Sequence, residues 1–294
     1  LQYADTAMYR AKEQGGNAMA FFTPDMMKAM LERLQLEAGL RRALEHGELR
    51  LHYQPIVDAR TGRVTSAEAL VRWADPQRGL VSPMEFIPIA EETGLIVPIG
   101  DWVLRRACAQ VRTWRDLGLG DIAVAVNLSA RQFAAPSLEQ SVVQALQAGG
   151  CPAALLQLEI TESSIMDQVD AAIDTMRRLN ALGVQLTIDD FGTGYSSLSQ
   201  LKRLPVSTLK IDRTFVRDVR KDAADDVFVD AILALARKLG LRTVAEGVET
   251  AAQRDFLEAR GCDEYQGFLV ARPCEAEDFA QIVRARNAGP APAQ

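Results

Sequence analysis

Apolar and polar residues recur with two different periods along most of the chain. A period near 3.6 residues predicts helices, whereas alternation or short apolar runs predict strands. The first long helical pattern covers about 25–46, with Pro24 at its first position. Two strand patterns follow, at 49–57 and 64–73, and a Thr-Gly turn at 61–62 lies between them. This arrangement predicts a hairpin.

Strands and helices then alternate. Six further strands are predicted at 122–129, 155–161, 184–190, 207–212, 242–247 and 263–268. Helical patterns occupy 83–93, 97–117, 137–148, 167–182, a short stretch ending at 203, 223–239, 250–260 and 275–286. Buried strands separated by helices indicate a parallel sheet. Eight such units in about 250 residues favour a closed α/β barrel of the TIM type, (β/α)8. The hairpin predicts an antiparallel first strand, and the helix at 25–46 precedes the barrel.

Composition narrows the class of protein. The 294 residues are 48% hydrophobic and 24% charged, which excludes disorder over most of the chain. The net charge of −6 gives no basic excess of the kind that nucleic-acid grooves show, so we expect no nucleic-acid polymer as partner. No apolar run approaches the roughly 20 residues that span a bilayer, and no signal-peptide pattern is present. We therefore expect a cytoplasmic segment without membrane contact.

The scarcity of histidine and cysteine limits the chemistry. The chain has two histidines, His46 and His52, and four cysteines without a C-x-x-C pair. Histidines are therefore too few to favour a Ser-His-Asp triad, and the cysteine spacing does not favour a thiolate zinc site. Any metal would be held by carboxylate and amide oxygens, which suit Mg²⁺ or Mn²⁺.

Seven of the eight predicted strands carry polar residues near their C-terminal ends, where barrels of this type place function. In chain order these residues are Glu68, Asn127, Glu159 with Glu162, Asp189 with Asp190, Lys210 with Asp212, Glu246 with Glu249, and Gln266. Crowded carboxylates repel one another unless cations neutralise them. Two divalent ions could be bound by Glu68, Asn127, Glu159, Asp189, Asp190 and Glu246. Ion pairs of this kind promote phosphoester hydrolysis.

Two cationic side chains fit the same chemistry. Lys210 is either a salt-bridged structural lysine or the group that holds the attacking water. Arg72 is either a surface residue or a phosphate clamp. The Gly- and Ser-rich loop at 191–197 has the composition of a lid.

Other functions remain open at this point. A glycosidase could use paired carboxylates, either Glu159 with Glu162 or Glu246 with Glu249, but 6% aromatic residues is low for sugar stacking. A D-F-G triplet at 190–192 matches a kinase signature, which we reject because no Gly-rich loop or H-R-D accompanies it. A binding module without turnover is a further alternative.

Several motifs together resemble the EAL domain family. They are YQPI (53–56), EALVRW (68–73), NLSARQF (127–133), LEITES (158–163), DDFGTGYSSL (189–198), LKID (209–212), AEGVET (245–250) and QGFLVARP (266–273). The family comprises phosphodiesterases that open cyclic di-GMP to linear pGpG. The resemblance runs from about residue 30 to 286. It implies a TIM-type barrel with an antiparallel first strand, in bacterial second-messenger signalling.

The resemblance implies a role for each matching residue. The implied ligands of two Mg²⁺ or Mn²⁺ ions are Glu68, Asn127, Glu159, Asp189 and Asp190. The resemblance implies that Glu246 is a further ligand or the general base and that Lys210 positions the water. It also implies that Glu162 anchors the loop starting at Asp190. The implied contacts to cyclic di-GMP are Gln54, Leu70, Arg72, Asp212, Glu249 and Gln266. Some family members without these acids are receptors, and many pair as homodimers.

The N-terminal stretch ADTAMYRAKEQGGN (4–17) resembles the end of a GGDEF domain, the diguanylate cyclase family. We therefore expect upstream GGDEF and sensor domains as partners. The predicted organisation is a GGDEF remnant at 1–22, a linker helix at 23–46, an EAL barrel over 30–288 and a disordered tail at 289–294.

Overall fold

The computed structural model describes residues 24–166, 169–193, 198–219 and 223–288. The predictions for residues 1–22, for the tail at 289–294 and for most of the loop at 191–197 lie outside these residues. The chain divides into two compact units. Of the described residues, one unit contains 24–49 and 73–95, and the other contains 50–72 and those from 96 to 288. Within the described ranges, every helix is too short or too polar to cross a membrane.

The secondary structure alternates much as the sequence predicts. In chain order the elements are α1 (Pro24–His46), β1 (Leu49–Asp58), β2 (Val64–Asp75), β3 (Gly79–Val81), α2 (Pro83–Thr93), α3 (Ile96–Asp116), β4 (Ala123–Leu128), α4 (Ala130–Phe133), α5 (Leu138–Gly149), a 3₁₀ turn (Ala153–Leu155), β5 (Leu156–Thr161), α6 (Glu162–Met166), α7 (Val169–Ala181), β6 (Gln185–Phe191), α8 (Leu198–Leu201), β7 (Thr208–Ile211), α9 (Arg213–Arg217), α10 (Ala223–Leu239), β8 (Arg242–Ala245), α11 (Ala251–Ala259), β9 (Glu264–Gln266) and α12 (Ala276–Asn287).

The smaller unit is built around Trp73, which is fully buried. Its indole Nε1 donates a hydrogen bond to Glu48 Oε2 at 3.1 Å, and its ring packs edge-on against Phe86 at 6.0 Å. Trp73 of β2 also lies opposite Val81 of β3 in an antiparallel strand pairing. β3 is not predicted by the sequence pattern, because three residues are too few to establish a period.

The larger unit is a closed eight-stranded barrel. Its strands follow the order β1-β9-β8-β7-β6-β5-β4-β2, and a β1–β2 pairing closes the ring. The barrel pairings β2–β4, β4–β5, β5–β6, β6–β7, β7–β8 and β8–β9 are parallel, whereas β1 pairs antiparallel with β9. The predicted TIM-type barrel with an antiparallel first strand is therefore confirmed.

Alternation along the strands separates two environments. In β5, Leu156, Leu158 and Ile160 are fully buried, as expected for side chains that pack under the surrounding helices. The intervening positions face the barrel axis and carry polar groups, of which Glu159 is an example. The apolar layer between strands and helices thus stabilises the barrel, and the positions that face the axis can carry functional polar side chains.

Four predicted strands end earlier than their patterns indicate. β4 stops at Leu128, one residue short of its pattern. β7 stops at Ile211 because Asp212 is the N-cap of α9, where its Oδ1 accepts a hydrogen bond from the Thr214 N–H at 2.9 Å. β8 stops before Glu246, and β9 stops before Gly267. A Cβ at Gly267 would collide with the backbone of Val248, so glycine is required for this close approach.

An aromatic cluster connects the first strand of the barrel to two of its helices. Trp114 of α3 lies edge-on to Tyr53 of β1, with ring centroids 4.9 Å apart. It also contacts Phe279 of α12 at 4.6 Å. Trp114 and Phe279 are fully buried. Aromatic rings in such contacts stabilise the fold through the apolar area that they bury and through their preferred pairing geometry.

We predict that Trp114→Ala lowers the free energy of unfolding by about 3–5 kcal/mol, because it leaves a large cavity. Trp102 is the matched control, since it lies on the same helix but is only half-buried. Urea denaturation of Trp102→Ala should show a clearly smaller loss. Equal losses in the two variants would contradict the packing role given to the cluster.

Candidate active site

A single buried lysine lies among four carboxylates at the C-terminal ends of the barrel strands. Lys210 of β7 is 1% exposed, and its Nζ lies 2.6 Å from Glu246 Oε1, 2.9 Å from Glu159 Oε2, 3.1 Å from Asp189 Oδ1 and 3.8 Å from Glu68 Oε2. These acids come from four different parts of the chain. The barrel therefore brings together the residues that the sequence analysis assigned to separate strand ends.

The carboxylates keep Lys210 charged. Burial alone would lower the pKa of this ammonium, because a charge is poorly solvated away from water. The negative charges of Asp189 and Glu159, followed by Glu246 and Glu68, outweigh burial and raise the Lys210 pKa well above its usual value.

The positive charge of Lys210 does not fully neutralise the carboxylates around it. Burial raises the pKa of Glu159 well above its usual value, and the nearby Lys210 charge opposes this shift only in part. Burial likewise raises the pKa of Glu246 to about 7, again against the influence of Lys210. One ammonium is too little positive charge for this set of acids, so the site favours additional cations.

Two adjacent aspartates both reach this site because the strand is irregular there. Neighbouring strand residues normally point to opposite faces, but the register between β6 and β7 shifts between Ile188 and Phe191. Asp190 has a φ of 54°, which aspartate tolerates better than most residues. Burial and the charge of Asp189 raise the Asp190 pKa to about 6.

The oxygen atoms here suit a hard divalent cation. Ligand oxygens of Asp189, Asp190 and Glu246 all lie within 4.8 Å of one another. Asp189 Oδ1 is buried and, although it lies 3.1 Å from Lys210 Nζ, it accepts no hydrogen bond from any described residue. A buried carboxylate oxygen that accepts no hydrogen bond and lies close to the oxygens of two other acids fits a cation such as Mg²⁺ or Mn²⁺.

Amide side chains hold the remaining acid. Glu68 Oε1 accepts a hydrogen bond from Asn127 Nδ2 at 2.6 Å, and Glu68 Oε2 accepts one from Gln266 Nε2 at 2.6 Å. Gln266 Nε2 also donates to Gln54 Oε1 at 2.8 Å. β1, β2, β4 and β9 therefore contribute to one hydrogen-bonded group beside Lys210.

The other predicted site residues have separate environments. Glu162 is buried and its Oε2 accepts the Gly192 N–H at 3.0 Å, a contact of the kind expected of a loop anchor. Asp212 caps α9, and its negative charge contributes to the raised pKa of Asp190. Glu249 is exposed at the start of α11.

Arg72 and Leu70 are both half-buried on β2. The Arg72 guanidinium donates to the neighbouring Val71 carbonyl at 2.9 Å, and it forms no ion pair with any described residue. Burial lowers the pKa of Arg72, although the charge of Glu68 opposes this shift. The guanidinium thus retains donors for an anionic ligand.

Sequence reasoning missed a helix cap outside the acid cluster and one support of the site. Thr250 and Gln253 form a capping box that begins α11, and the Gln253 side chain also donates to the carbonyls of Val216 and Arg217. The T-x-x-Q pattern could have revealed this cap. The Ala271 carbonyl, which accepts a hydrogen bond from Gln54 Nε2 at 3.1 Å, has no signal in the sequence.

Comparisons with known proteins show the family to which the chain is similar. The family model of the EAL domain matches residues 37–273. The bifunctional diguanylate cyclase/cyclic di-GMP phosphodiesterase MucR of Pseudomonas aeruginosa is 53% identical over 280 residues, which cover 95% of this chain and 41% of MucR. The cyclic di-GMP phosphodiesterase PdeR of Escherichia coli is 46% identical over 279 residues, which cover 95% of this chain and 42% of PdeR. The chain thus spans less than half the length of these two relatives.

Solved structures of a phosphodiesterase and of an EAL enzyme are also similar to this chain. A complex of the PaMucR phosphodiesterase with c-di-GMP has a TM-score of 0.81 at 53% identity, covering 83% of this chain and 99% of the other. The EAL enzyme Bd1971 with cAMP and cyclic di-GMP bound has a TM-score of 0.82 at 34% identity, covering 94% of this chain and 72% of the other. From the family match, the sequence identity and the shared barrel, we conclude that this chain belongs to the EAL domain family.

Proposed function

We propose that this barrel is a phosphodiesterase that hydrolyses one phosphodiester bond of cyclic di-GMP to give linear pGpG. The observation that carries the proposal is the buried Lys210 ammonium surrounded by four carboxylates. The family membership and the relatives named for this activity support the same substrate.

The proposed cofactors are two Mg²⁺ or Mn²⁺ ions. The residues proposed to hold them are Glu68, Asn127, Glu159, Asp189, Asp190 and Glu246. When bound, such ions polarise the phosphate and lower the pKa of a water molecule, which removes the need for a histidine base. The close grouping of Asp189, Asp190 and Glu246 oxygens supports a ligand role for Glu246 in preference to that of the general base.

Lys210 is proposed to hold the attacking water and to stabilise negative charge on the phosphate in the transition state. Its ammonium stays protonated because the surrounding acids raise its pKa. It therefore acts as a hydrogen-bond donor and a fixed charge, and it does not remove a proton from the water.

Substrate contacts are proposed for Gln54, Leu70, Arg72, Asp212, Glu249 and Gln266. Arg72 is the proposed phosphate clamp, since a guanidinium can donate two parallel hydrogen bonds to phosphate oxygens. Glu162 is proposed to hold the backbone that follows Asp190 through its hydrogen bond with Gly192.

The wider setting is also a proposal. Relatives more than twice the length of this chain support upstream GGDEF and sensor domains, with residues 1–22 as the end of the GGDEF domain and 23–46 as a linker to the barrel at 30–288. We also propose a homodimer and a cytoplasmic location. The four free cysteines are consistent with a reducing compartment.

We predict that Asp189→Asn reduces the rate of cyclic di-GMP hydrolysis by more than about 100-fold, because the loss of a ligand should exceed the 10–100-fold cost of losing a supporting residue. The matched control is Asp255→Asn, which removes an exposed acid paired with Arg254. Chromatography of the remaining substrate measures both rates. A fully active Asp189→Asn variant would refute the proposed site.

Divalent cations should stabilise the folded protein in the absence of substrate. Mn²⁺ at 100 times its dissociation constant is expected to raise the free energy of unfolding by about 2.7 kcal/mol, and EDTA should reverse this gain. Thermal unfolding followed by circular dichroism measures the effect. The gain should be largely absent in Asp189→Asn and intact in Asp255→Asn. An unchanged melting temperature at saturating Mn²⁺ would contradict ion binding.

Glu162→Gln is expected to lower kcat about tenfold while leaving Mn²⁺ affinity unchanged. The substitution keeps an acceptor near the Gly192 N–H but removes the charge that strengthens the hydrogen bond. Ser163→Ala, at an exposed neighbouring position, is the control. Steady-state kinetics together with a Mn²⁺ titration make the test, and a loss of Mn²⁺ affinity in Glu162→Gln would argue against a loop-anchoring role.

A further inference from the structure

Three buried side chains form a directed hydrogen-bond relay that ends on Glu68. The relay begins at the Ala271 carbonyl, which accepts a hydrogen bond from Gln54 Nε2 at 3.1 Å. Gln54 Oε1 accepts one from Gln266 Nε2 at 2.8 Å, and the same nitrogen donates to Glu68 Oε2 at 2.6 Å. The exposed fractions of Gln54, Gln266 and Glu68 are 7%, 5% and 6%.

The backbone carbonyl sets the direction of the whole relay. A glutamine amide can rotate by 180° and exchange its donor for its acceptor. A carbonyl oxygen only accepts, so Ala271 requires the Nε2 of Gln54 on its side. Gln54 must then present Oε1 to its next neighbour, and this oxygen requires the Nε2 of Gln266.

The result is that an N–H donor, and not an oxygen, faces the Glu68 carboxylate. If the Gln266 amide turned over, its Oε1 would approach a carboxylate oxygen, which is repulsive. With the relay intact, Glu68 Oε2 is held by Gln266, and Oε1 is held by Asn127. Both oxygens of a proposed metal ligand therefore have a fixed orientation.

We infer that Gln54 is a positioning residue for Glu68 and that it acts through Gln266. The inference rests on the proposed function, in which Glu68 is a cation ligand. It also differs from the substrate contact proposed above for Gln54. Both functional atoms of the Gln54 amide already bond to protein groups, Nε2 to Ala271 and Oε1 to Gln266.

The loop after β9 supports the origin of the relay. The N–H groups of Val270 and Ala271 both donate to the Gly267 carbonyl, which turns the chain immediately after Gln266. Gly267 in turn lies against the backbone of Val248, where a Cβ would not fit. The Ala271 carbonyl is therefore fixed by backbone contacts and does not depend on the side chains that it orients.

The test is a titration with Mn²⁺ alone, without substrate, in which electron paramagnetic resonance measures the free ion. Gln54→Met keeps the volume but removes both amide groups, and it should weaken Mn²⁺ binding by about 10–100-fold. Gln266→Met should weaken binding at least as much. Because Gln54 acts through Gln266, the double variant should bind no more weakly than Gln266→Met.

Gln253→Met is the matched control, since Gln253 is equally buried but bonds to Val216 and Arg217. It should lower the melting temperature without changing Mn²⁺ affinity, which separates positioning from a general loss of stability. If Gln54→Met does not fold, Gln54→Asn is measured instead. Its shorter side chain cannot span Ala271 and Gln266 together, and the same loss of affinity is expected.

Wild-type Mn²⁺ affinity in a folded Gln54 variant would overturn the inference, and so would losses that add in the double variant. These outcomes are distinct from a failure of the proposed function. In that case the wild-type chain would bind Mn²⁺ with the relay effects intact and would leave cyclic di-GMP uncleaved.

Discussion

One ammonium group facing four carboxylates is the constraint on which the site depends. The surrounding acids raise the pKa of Lys210 well above its usual value, and one ammonium is too little positive charge for four carboxylates. Such a cluster is unfavourable in a folded protein unless further positive charge is supplied. The proposed binding of cations, and the hydrolysis that such cations would support, both start from this imbalance.

The barrel makes the constraint structurally tolerable. A continuous apolar layer between strands and helices supplies the stability, so the inner positions can carry charge. The antiparallel β1 brings Gln54 beside Gln266 of β9, and the displaced register of β6 brings Asp190 to the same side as Asp189. The irregular features of the fold are therefore the ones that complete the site.

Much of this could be predicted from the sequence, because periodicity and strand-end acids are local signals. Glu68, Glu159, Asp189 and Glu246 were assigned to different strands, and closure of the barrel explains why they meet at Lys210. The irregular register around Asp190 could not be predicted, since it depends on pairing between two strands. The relay from Ala271 could not be predicted for a similar reason, because the identity of a residue does not show what its backbone carbonyl binds.

The most direct test of the account is the product formed from cyclic di-GMP by the purified chain, identified by mass spectrometry. The account predicts linear pGpG in the presence of Mg²⁺ or Mn²⁺ and intact substrate after treatment with EDTA. Cleavage that persists in the chelator, or no cleavage with either metal, would contradict it.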